Sequence, residues 1–399
     1  MRFRAPLAAL AGALLLTACG GDPGALPQRE GSHHSAPAAA SASSSTSTGS
    51  GTTTAAPAKP VALRSGERFL ELRMPTAYTP TAPSGKGTDE YRCFLLDPKL
   101  AQNAVITGTN FLPANAKLVH HVILYKVDPQ DVARAQAKDA AEAGEGWTCF
   151  GGTGLSSTAG QNLDEAPWLG AWAPGGSERV TEKGIGTELP KGSQIIMQIH
   201  YNLLGGEGSD QSAARLRIAP DNGNYNYLRT MLLPAPVELP CRAGIANTLC
   251  DRGAAMTDLR ERFGDEAKTA DLLHILCGAE PVGPTQKCTR PVNDKIVVRA
   301  LSGHMHLLGR KISVVANAGT PKAQTLLDIT NWDFDNQSAT VLPKAVTLKP
   351  TDTLTVQCTH DQSLRDVLPA LADIPERYVV WGEGTSDEMC LGIVMFTES

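Results

Sequence analysis

The chain has 399 residues, a formal net charge of −5 and a sequence pI near 6.0. This balance lacks the basic surface that nucleic-acid-binding proteins carry, so we predict no nucleic-acid partner. Beyond the N-terminal segment, no apolar run is long enough to cross a bilayer.

The first 18 residues have the pattern of an export signal. Two arginines precede an apolar run over residues 5–16, which is too short for a stable transmembrane helix. The tripeptide Leu-Thr-Ala directly before Cys19 resembles a bacterial lipobox, which implies cleavage before Cys19 and lipid on its thiol. An ordinary signal peptide with a chance cysteine is the alternative. We predict an exported protein, held by lipid to the bacterial cell envelope at the periplasmic or surface face of the outer membrane.

Residues 19–60 are mostly Ala, Ser, Thr, Gly and Pro. Such a segment buries too little apolar surface to offset its ordering entropy, so it is predicted to be a disordered tether. His33 and His34 lie in it, where they are either solvated or able to scavenge metal. The remaining roughly 340 residues suit two domains, which we place at 61–219 and 220–399.

Short β-branched or alternating runs separated by turn residues dominate these two domains. Examples are residues 117–125, 194–201, 295–301 and 346–356. This pattern predicts an all-β protein built of sandwiches or barrels. One stretch, Thr257 to Leu276, has the spacing of a helix and predicts a short helical insertion in the C-terminal domain.

Nine cysteines are present, and eight remain when Cys19 is set aside. An even number in an exported chain suggests four disulfides, and the absence of a C-x-x-C pair argues against a zinc knuckle or a thioredoxin-like site. The eight are Cys93, Cys149, Cys241, Cys250, Cys277, Cys288, Cys358 and Cys390.

Five histidines stand in short apolar contexts that indicate a metal site. On a strand, His304 and His306 point to the same face and can share one ion, whereas His120 and His121 can do so only if the strand twists, bulges or ends there. His200 lies in a third such run. Imidazole suits zinc, copper, iron or nickel, and a thioether ligand would favour copper. Satisfied core histidines are the alternative.

Four motifs in order make the chain similar, from about residue 65 to residue 399, to one enzyme family. The chain resembles the copper type II, ascorbate-dependent monooxygenases, which include peptidylglycine α-hydroxylating monooxygenase and dopamine β-monooxygenase. The motifs are HHVILY (120–125), QIHYN (198–202), GHMHLLGR (303–310) and GTSDEMC (384–390).

The resemblance implies two tandem jelly-roll sandwiches that face each other across a water-filled cleft, with one copper in each. It implies that His120, His121 and His200 bind the electron-transfer copper and that Gln198 lies nearby. It implies that His304, His306 and Met389 bind the oxygen-binding copper and form the catalytic centre. The implied co-substrates are O₂, a small organic molecule, and ascorbate or another electron donor. His274 and His360 match no ligand position.

The resemblance also implies disulfides Cys93–Cys149 and Cys358–Cys390, the second closing the loop that presents Met389. The other four cysteines border the helical insertion and depart from the animal pattern. We predict nested bridges there, Cys241–Cys288 and Cys250–Cys277.

Three positions depart from the peptide-processing members of the family. Ser302 stands where they carry a substrate-binding Arg, and Leu391 and Ile393 stand where they carry Asn and Tyr. None of these replacements can bind a carboxylate in bidentate fashion. The sequence therefore predicts a copper monooxygenase with another substrate. A non-catalytic copper-storage lipoprotein and a purely structural sandwich are the alternatives.

Overall fold

The computed structural model describes residues 61–82, 87–155 and 163–398. The predicted signal peptide, Cys19 and the predicted tether lie outside these residues. The described residues belong to one compact unit. Within them, no helix combines the length and the apolar character needed to cross a bilayer.

Strands dominate the described part of the chain, and this confirms the predicted all-β class. The strands are β1 (Arg68–Arg73), β2 (Asp89–Leu96), β3 (Ala104–Leu112), β4 (Val119–Val127), β5 (Trp147–Thr148), β6 (Trp168–Trp172), β7 (Arg179–Val180), β8 (Ile185–Leu189), β9 (Gln194–Asn202), β10 (Ala213–Pro220), β11 (Asn226–Pro234), β12 (Glu238–Leu239), β13 (Thr285–Pro291), β14 (Ile296–His304), β15 (Gly309–Ala316), β16 (Gln324–Ile329), β17 (Thr340–Leu348), β18 (Thr353–His360), β19 (Val379–Val380) and β20 (Leu391–Glu398). The α-helices are α1 (Val132–Ala141), α2 (Arg252–Phe263) and α3 (Lys268–Cys277).

The strands of the described residues form four sheets. The largest has the order β1-β10-β3-β8-β11-β20-β14-β17, with β7 also paired to β3. The others have the orders β5-β2-β9-β4-β6, β13-β18-β15-β16 and β12-β19. In the large sheet, β20 lies between β11 and β14 and is antiparallel to both. The large sheet thus runs through both halves of the sequence.

Two main hydrophobic clusters fill the spaces between the sheets. One draws on residues from Leu72 to Ile218, and the other on residues from Met231 to Phe396, including the buried faces of α2 and α3. Strand β13 alternates buried with more exposed residues, whereas β2, β3 and β9 are buried along almost their whole length. The jelly-roll topology and the boundary between residues 219 and 220 remain predictions.

The helical insertion begins earlier than predicted and has two parts. Helix α2 is capped by the side chain of Asp251, which accepts a hydrogen bond from the backbone N–H of Ala254. It ends at Phe263, because Gly264 takes a positive φ of 62°, which glycine adopts without steric cost. Helix α1 was not predicted from the sequence.

All eight described cysteines are paired. The Cys93–Cys149 and Cys358–Cys390 bridges are confirmed. The nested pairing is wrong, because the bridges are Cys241–Cys250 and Cys277–Cys288, with sequence separations of 9 and 11. Cys277 ends α3, which packs directly on β13, where Cys288 lies. Each bridge therefore closes a local loop instead of spanning the insertion.

Candidate metal centres

Three imidazoles meet where β4 and β9 pair. Val119 is opposite Tyr201 and His121 is opposite His200, so the register shifts by one residue at His120. This irregularity is the bulge that a His-His pair needs in order to reach one ion. The ligand atoms of the three histidines lie within 4.8 Å of one another. The Nδ1 atoms of His120 and His200 are 3.2 Å apart.

Asp89 at the start of β2 fixes the orientation of His200. Its buried Oδ1 accepts a hydrogen bond of 2.8 Å from Nε2 of His200, so the lone pair of His200 is on Nδ1, which faces the other two histidines. The same Oδ1 accepts from the backbone N–H and the hydroxyl of Thr385, at 3.0 and 2.5 Å. Tyr91 stacks on the His200 ring at 4.1 Å, and its hydroxyl donates to the carbonyl of Glu383. One side of the first histidine set is thus tied to residues 383–385.

His304 and His306 each use Nδ1 in a hydrogen bond, so Nε2 is the ring nitrogen that can bind a metal. The amide N–H of Gln337 donates to the carbonyl of Phe334, so its Oε1 is left to accept a 2.6 Å hydrogen bond from Nδ1 of His304. Nδ1 of His306 donates to the backbone carbonyl of Asp387 at 3.3 Å. In both rings, the proton on Nδ1 leaves Nε2 as the metal-binding atom.

A buried carboxylate joins His306 to the segment that carries Met389. Glu388 accepts from the backbone N–H groups of His306 at 3.0 Å, Leu308 at 2.5 Å and Met389 at 3.3 Å. Its side chain is fully buried, and Nε2 of His360 lies 3.3 Å from it. Cys390 continues this segment into its bridge with Cys358. His360 therefore has a structural role, as does His274, which donates to Glu238.

The two histidine sets are neighbours. The ring centroids of His121 and His304 are 5.6 Å apart, and those of His120 and His304 are 6.5 Å apart. The two rings of the adjacent pair, His120 and His121, are separated by 5.4 Å, which is a comparable distance. Phe334 stacks on His120 at 4.3 Å. The five imidazoles therefore form one continuous group.

Burial disfavours the protonated form of four of these imidazoles. It lowers the pKa values of His120 and His121 well below the ordinary value for histidine. It also lowers the pKa of His200, against the opposing effect of Asp89, and it lowers the pKa of His304 to about 3. Neutral imidazole is the form that binds metal ions, so no proton needs to leave at neutral pH.

The donor atoms fit a metal better than they fit a closed hydrogen-bond network. Among the described residues, Nε2 of His120, Nδ1 of His121 and Nε2 of His306 are buried without a hydrogen-bond partner. Leaving several buried nitrogens unpaired is costly, and a bound ion would satisfy them. Imidazole nitrogens with one buried thioether, that of Met389, are a donor set that suits copper.

A cavity of about 880 Å³ lies against both histidine sets. His121, His304 and Met389 are on its wall, and the rest is mainly apolar and aromatic. The three positions that depart from the peptide-processing enzymes, Ser302, Leu391 and Ile393, also line it. These departures therefore lie where a substrate would contact the protein.

Gln198 lies near the first set but contacts the loop after β5. Its Nε2 donates to the carbonyls of Cys149 at 2.8 Å and Gly152 at 2.9 Å, and its Oε1 accepts from Tyr125. It is two residues before His200 on β9 and lines the cavity. Its contacts hold β9 to one wall of the cavity.

Sequence reasoning did not assign the residues that orient the ligands. Asp89, Gln337 and Glu388 contact histidines or their backbone, yet each is separated from its partner by at least 33 residues. One signal was available, because Thr385 and Glu388 belong to the quoted GTSDEMC motif. A carboxylate beside a ligand methionine in a buried run points to a supporting role.

Comparison with known proteins gives one family. Residues 282–399 match the model of the copper type II ascorbate-dependent monooxygenase, C-terminal domain. Among solved structures, the major capsid protein P2 of bacteriophage PM2 aligns with a TM-score of 0.31 and 8% identity, over 83% of this chain and 97% of that chain. An allantoicase aligns with a TM-score of 0.19 and 10% identity, over 84% of this chain and 90% of that chain. Neither likeness carries an argument at these scores.

Proposed function

We propose that this chain, whose residues 282–399 match the model of the copper type II ascorbate-dependent monooxygenase C-terminal domain, hydroxylates a C–H bond of a small organic substrate. The reaction uses O₂, two coppers, and ascorbate or another one-electron donor. One oxygen atom enters the substrate, the other is reduced to water, and two electrons come from the donor.

One observation carries this proposal. Two sets of histidines with free ring nitrogens adjoin a single cavity, which is large enough for a small organic molecule. His120, His121 and His200 would hold one copper, and His304, His306 and Met389 would hold the other. Bound copper supplies one-electron transfer and the activation of O₂.

The protein's own residues position the ligands and shield the reaction. Asp89 and Gln337 hold the rings of His200 and His304 in the tautomers that bind metal. Glu388 fixes His306 and Met389 against each other. The apolar wall of the cavity limits water near the substrate, which protects a reactive site from side reactions.

A copper-storage protein is the second candidate, and the altered positions Ser302, Leu391 and Ile393 favour it. A store does not need a substrate cavity, whereas this chain has one beside both sets. The cavity therefore favours catalysis.

The first test is the number of coppers. At saturation, metal analysis should give two coppers per chain, and His304→Ala should give one, because the first histidine set is left intact. His274→Ala is the matched control, since His274 lies outside both sets, and it should keep two. One copper or none per chain in the unmodified protein would contradict the proposal of two copper sites. Oxygen uptake with ascorbate, coupled to a hydroxylated product from a panel of phenethylamines and peptidyl-glycines, separates an enzyme from a store.

We propose in addition that Cys19 carries lipid and holds the protein at a bacterial membrane. Cys19→Ser should release the protein into the soluble fraction, because the thiol that would accept the lipid is gone. Fractionation followed by mass spectrometry of the N-terminal peptide checks this. A Cys19→Ser protein that stays full-length and membrane-bound contradicts it.

A further inference from the structure

The cavity wall carries a cation, Arg179, that pairs with no acidic side chain among the residues the structure describes. Arg179 on β7 lines the cavity, and its Nη2 lies 2.9 Å from Sδ of Met395 on β20. That sulfur is the side-chain partner found for its guanidinium among the described residues. A thioether is a weak acceptor, so it satisfies little of a guanidinium that carries five N–H donors.

The two acidic residues nearest to Arg179 in the sequence pair with other arginines. Glu178 accepts a 2.8 Å hydrogen bond from Nε of Arg217, and Glu182 lies 3.6 Å from Arg299. Burial lowers the pKa of Arg179 below its ordinary value, with no compensating carboxylate. Arginine still stays protonated at neutral pH, so the wall of the cavity carries a positive charge without a carboxylate partner in the described part of the chain. Such a charge is costly unless a ligand pairs with it.

A second polar group lies beside this charge. Thr109 on β3 is directly opposite Arg179 in the antiparallel register, so the two side chains share one face. Thr109 also lines the cavity. A planar guanidinium and an adjacent hydroxyl match the two oxygens of a carboxylate, whereas a phosphate would require more donors.

The strands β14 and β20 set the distance from this charge to the metal centres. His304 is opposite Leu391, Ser302 is opposite Ile393, and Ala300 is opposite Met395. A strand rises about 3.3 Å per residue, so the level of Met395 lies ~13 Å along the sheet from the level of His304. The wall between the two levels is formed by Ile393 and Ser302.

We propose that Arg179 binds the carboxylate of an elongated, mainly apolar substrate whose oxidised carbon lies on the order of 10 Å away, beside His304. This names the substrate class and rests on the proposed function. The binding residue comes from a different strand and a different half of the chain than Ser302, the position at which the peptide-processing enzymes carry their arginine. It also places the carboxylate at the level of Met395, which is farther along the sheet from His304 than Ser302 is.

The test measures binding to the copper-free protein, so that it does not depend on oxygenation. The probes are 6-phenylhexanoate and its neutral analogue 6-phenylhexanamide, followed by calorimetry or by the fluorescence of the tryptophans that line the cavity. The acid should bind roughly ten- to a hundredfold more tightly than the amide, as expected for a charge-assisted pair. Equal affinities would overturn the proposal.

Variants identify the group responsible. Arg179→Gln should remove the preference for the acid and leave amide binding within about twofold, while Arg179→Lys, which keeps the charge, should retain part of the preference. Arg299→Gln is the matched control outside the cavity and should bind both probes like the unmodified protein. If Arg179→Gln does not fold, Lys268→Gln decides, because Lys268 is another cation on the cavity wall. Loss of the preference in that variant assigns the carboxylate to Lys268 and refutes the proposal.

The two proposals can fail separately. If the acid binds through Arg179 but no hydroxylated product forms with copper, ascorbate and O₂, the proposed function fails and the carboxylate site stands. If a substrate without an anionic group is hydroxylated and Arg179→Gln leaves its KM unchanged, the enzyme stands and the carboxylate site fails.

Discussion

Replacing Met389 with alanine should reduce hydroxylation by more than about a hundredfold. Removing a residue that only supports a metal ligand costs up to about a hundredfold, and Met389 is itself the proposed ligand. Met389 is buried, lines the cavity beside His304 and is fixed by Glu388 and the adjacent Cys358–Cys390 bridge. The thioether is a soft ligand, so the variant should bind Cu(I) at the second set more weakly than Cu(II). Copper at the first histidine set should be retained, because those ligands do not depend on the thioether.

The measurement is product formation together with X-ray absorption of the reduced protein. The copper–sulfur scattering shell of the unmodified protein should be absent in Met389→Ala. Met231→Ala is the matched control, since Met231 is a buried methionine on β11 that belongs to the hydrophobic cluster. It should cost a few kcal/mol of stability and leave the copper–sulfur shell unchanged. A copper–sulfur shell that survives in Met389→Ala would mean that another sulfur is the ligand.

The second large effect concerns folding. Glu388→Ala should lower the free energy of unfolding of the copper-free protein by about 3–5 kcal/mol, the range seen when one partner of a buried polar network is removed. Three backbone N–H groups would lose their acceptor in a site without water access, and Nε2 of His360 would lose the carboxylate that lies 3.3 Å from it. Chemical denaturation followed by fluorescence gives this difference.

Two further variants calibrate that result. Glu388→Gln retains one acceptor oxygen and should lose less stability than Glu388→Ala. Glu182→Ala removes an exposed carboxylate from a surface ion pair with Arg299 and should stay within about 0.5 kcal/mol of the unmodified protein. If Glu388→Ala loses no more than Glu182→Ala, the carboxylate does not hold the Met389 segment in place.

The sequence allowed the prediction of the ligand groups because each is a local pattern. The His-His pair predicted an irregular strand, and the register of β4 shifts at His120. The i, i+2 pair His304 and His306 predicted a shared site, and both rings expose Nε2. The all-β class followed from short runs separated by turns. Each of these inferences depends on residues within a few positions of one another.

Partners that are distant in the chain could not be predicted in this way. Thr385 and Asp89 are 296 residues apart, and only the folded sheets bring them together. The closeness of the two histidine sets has the same origin. The nested disulfides failed because the number of cysteines leaves the pairing open, and only the packing of α3 on β13 places Cys277 beside Cys288.

The position of β20 has a consequence for synthesis of the chain. This strand joins β11 to β14 in the large sheet, yet it follows β11 in the sequence by more than 150 residues. Until β20 is in place, β11 and β14 each keep a row of unpaired backbone groups, which is the kind of edge that recruits other chains. The last strand to be made therefore completes the centre of the largest sheet, and the exposed edges of β11 and β14 leave the chain prone to aggregation until that step.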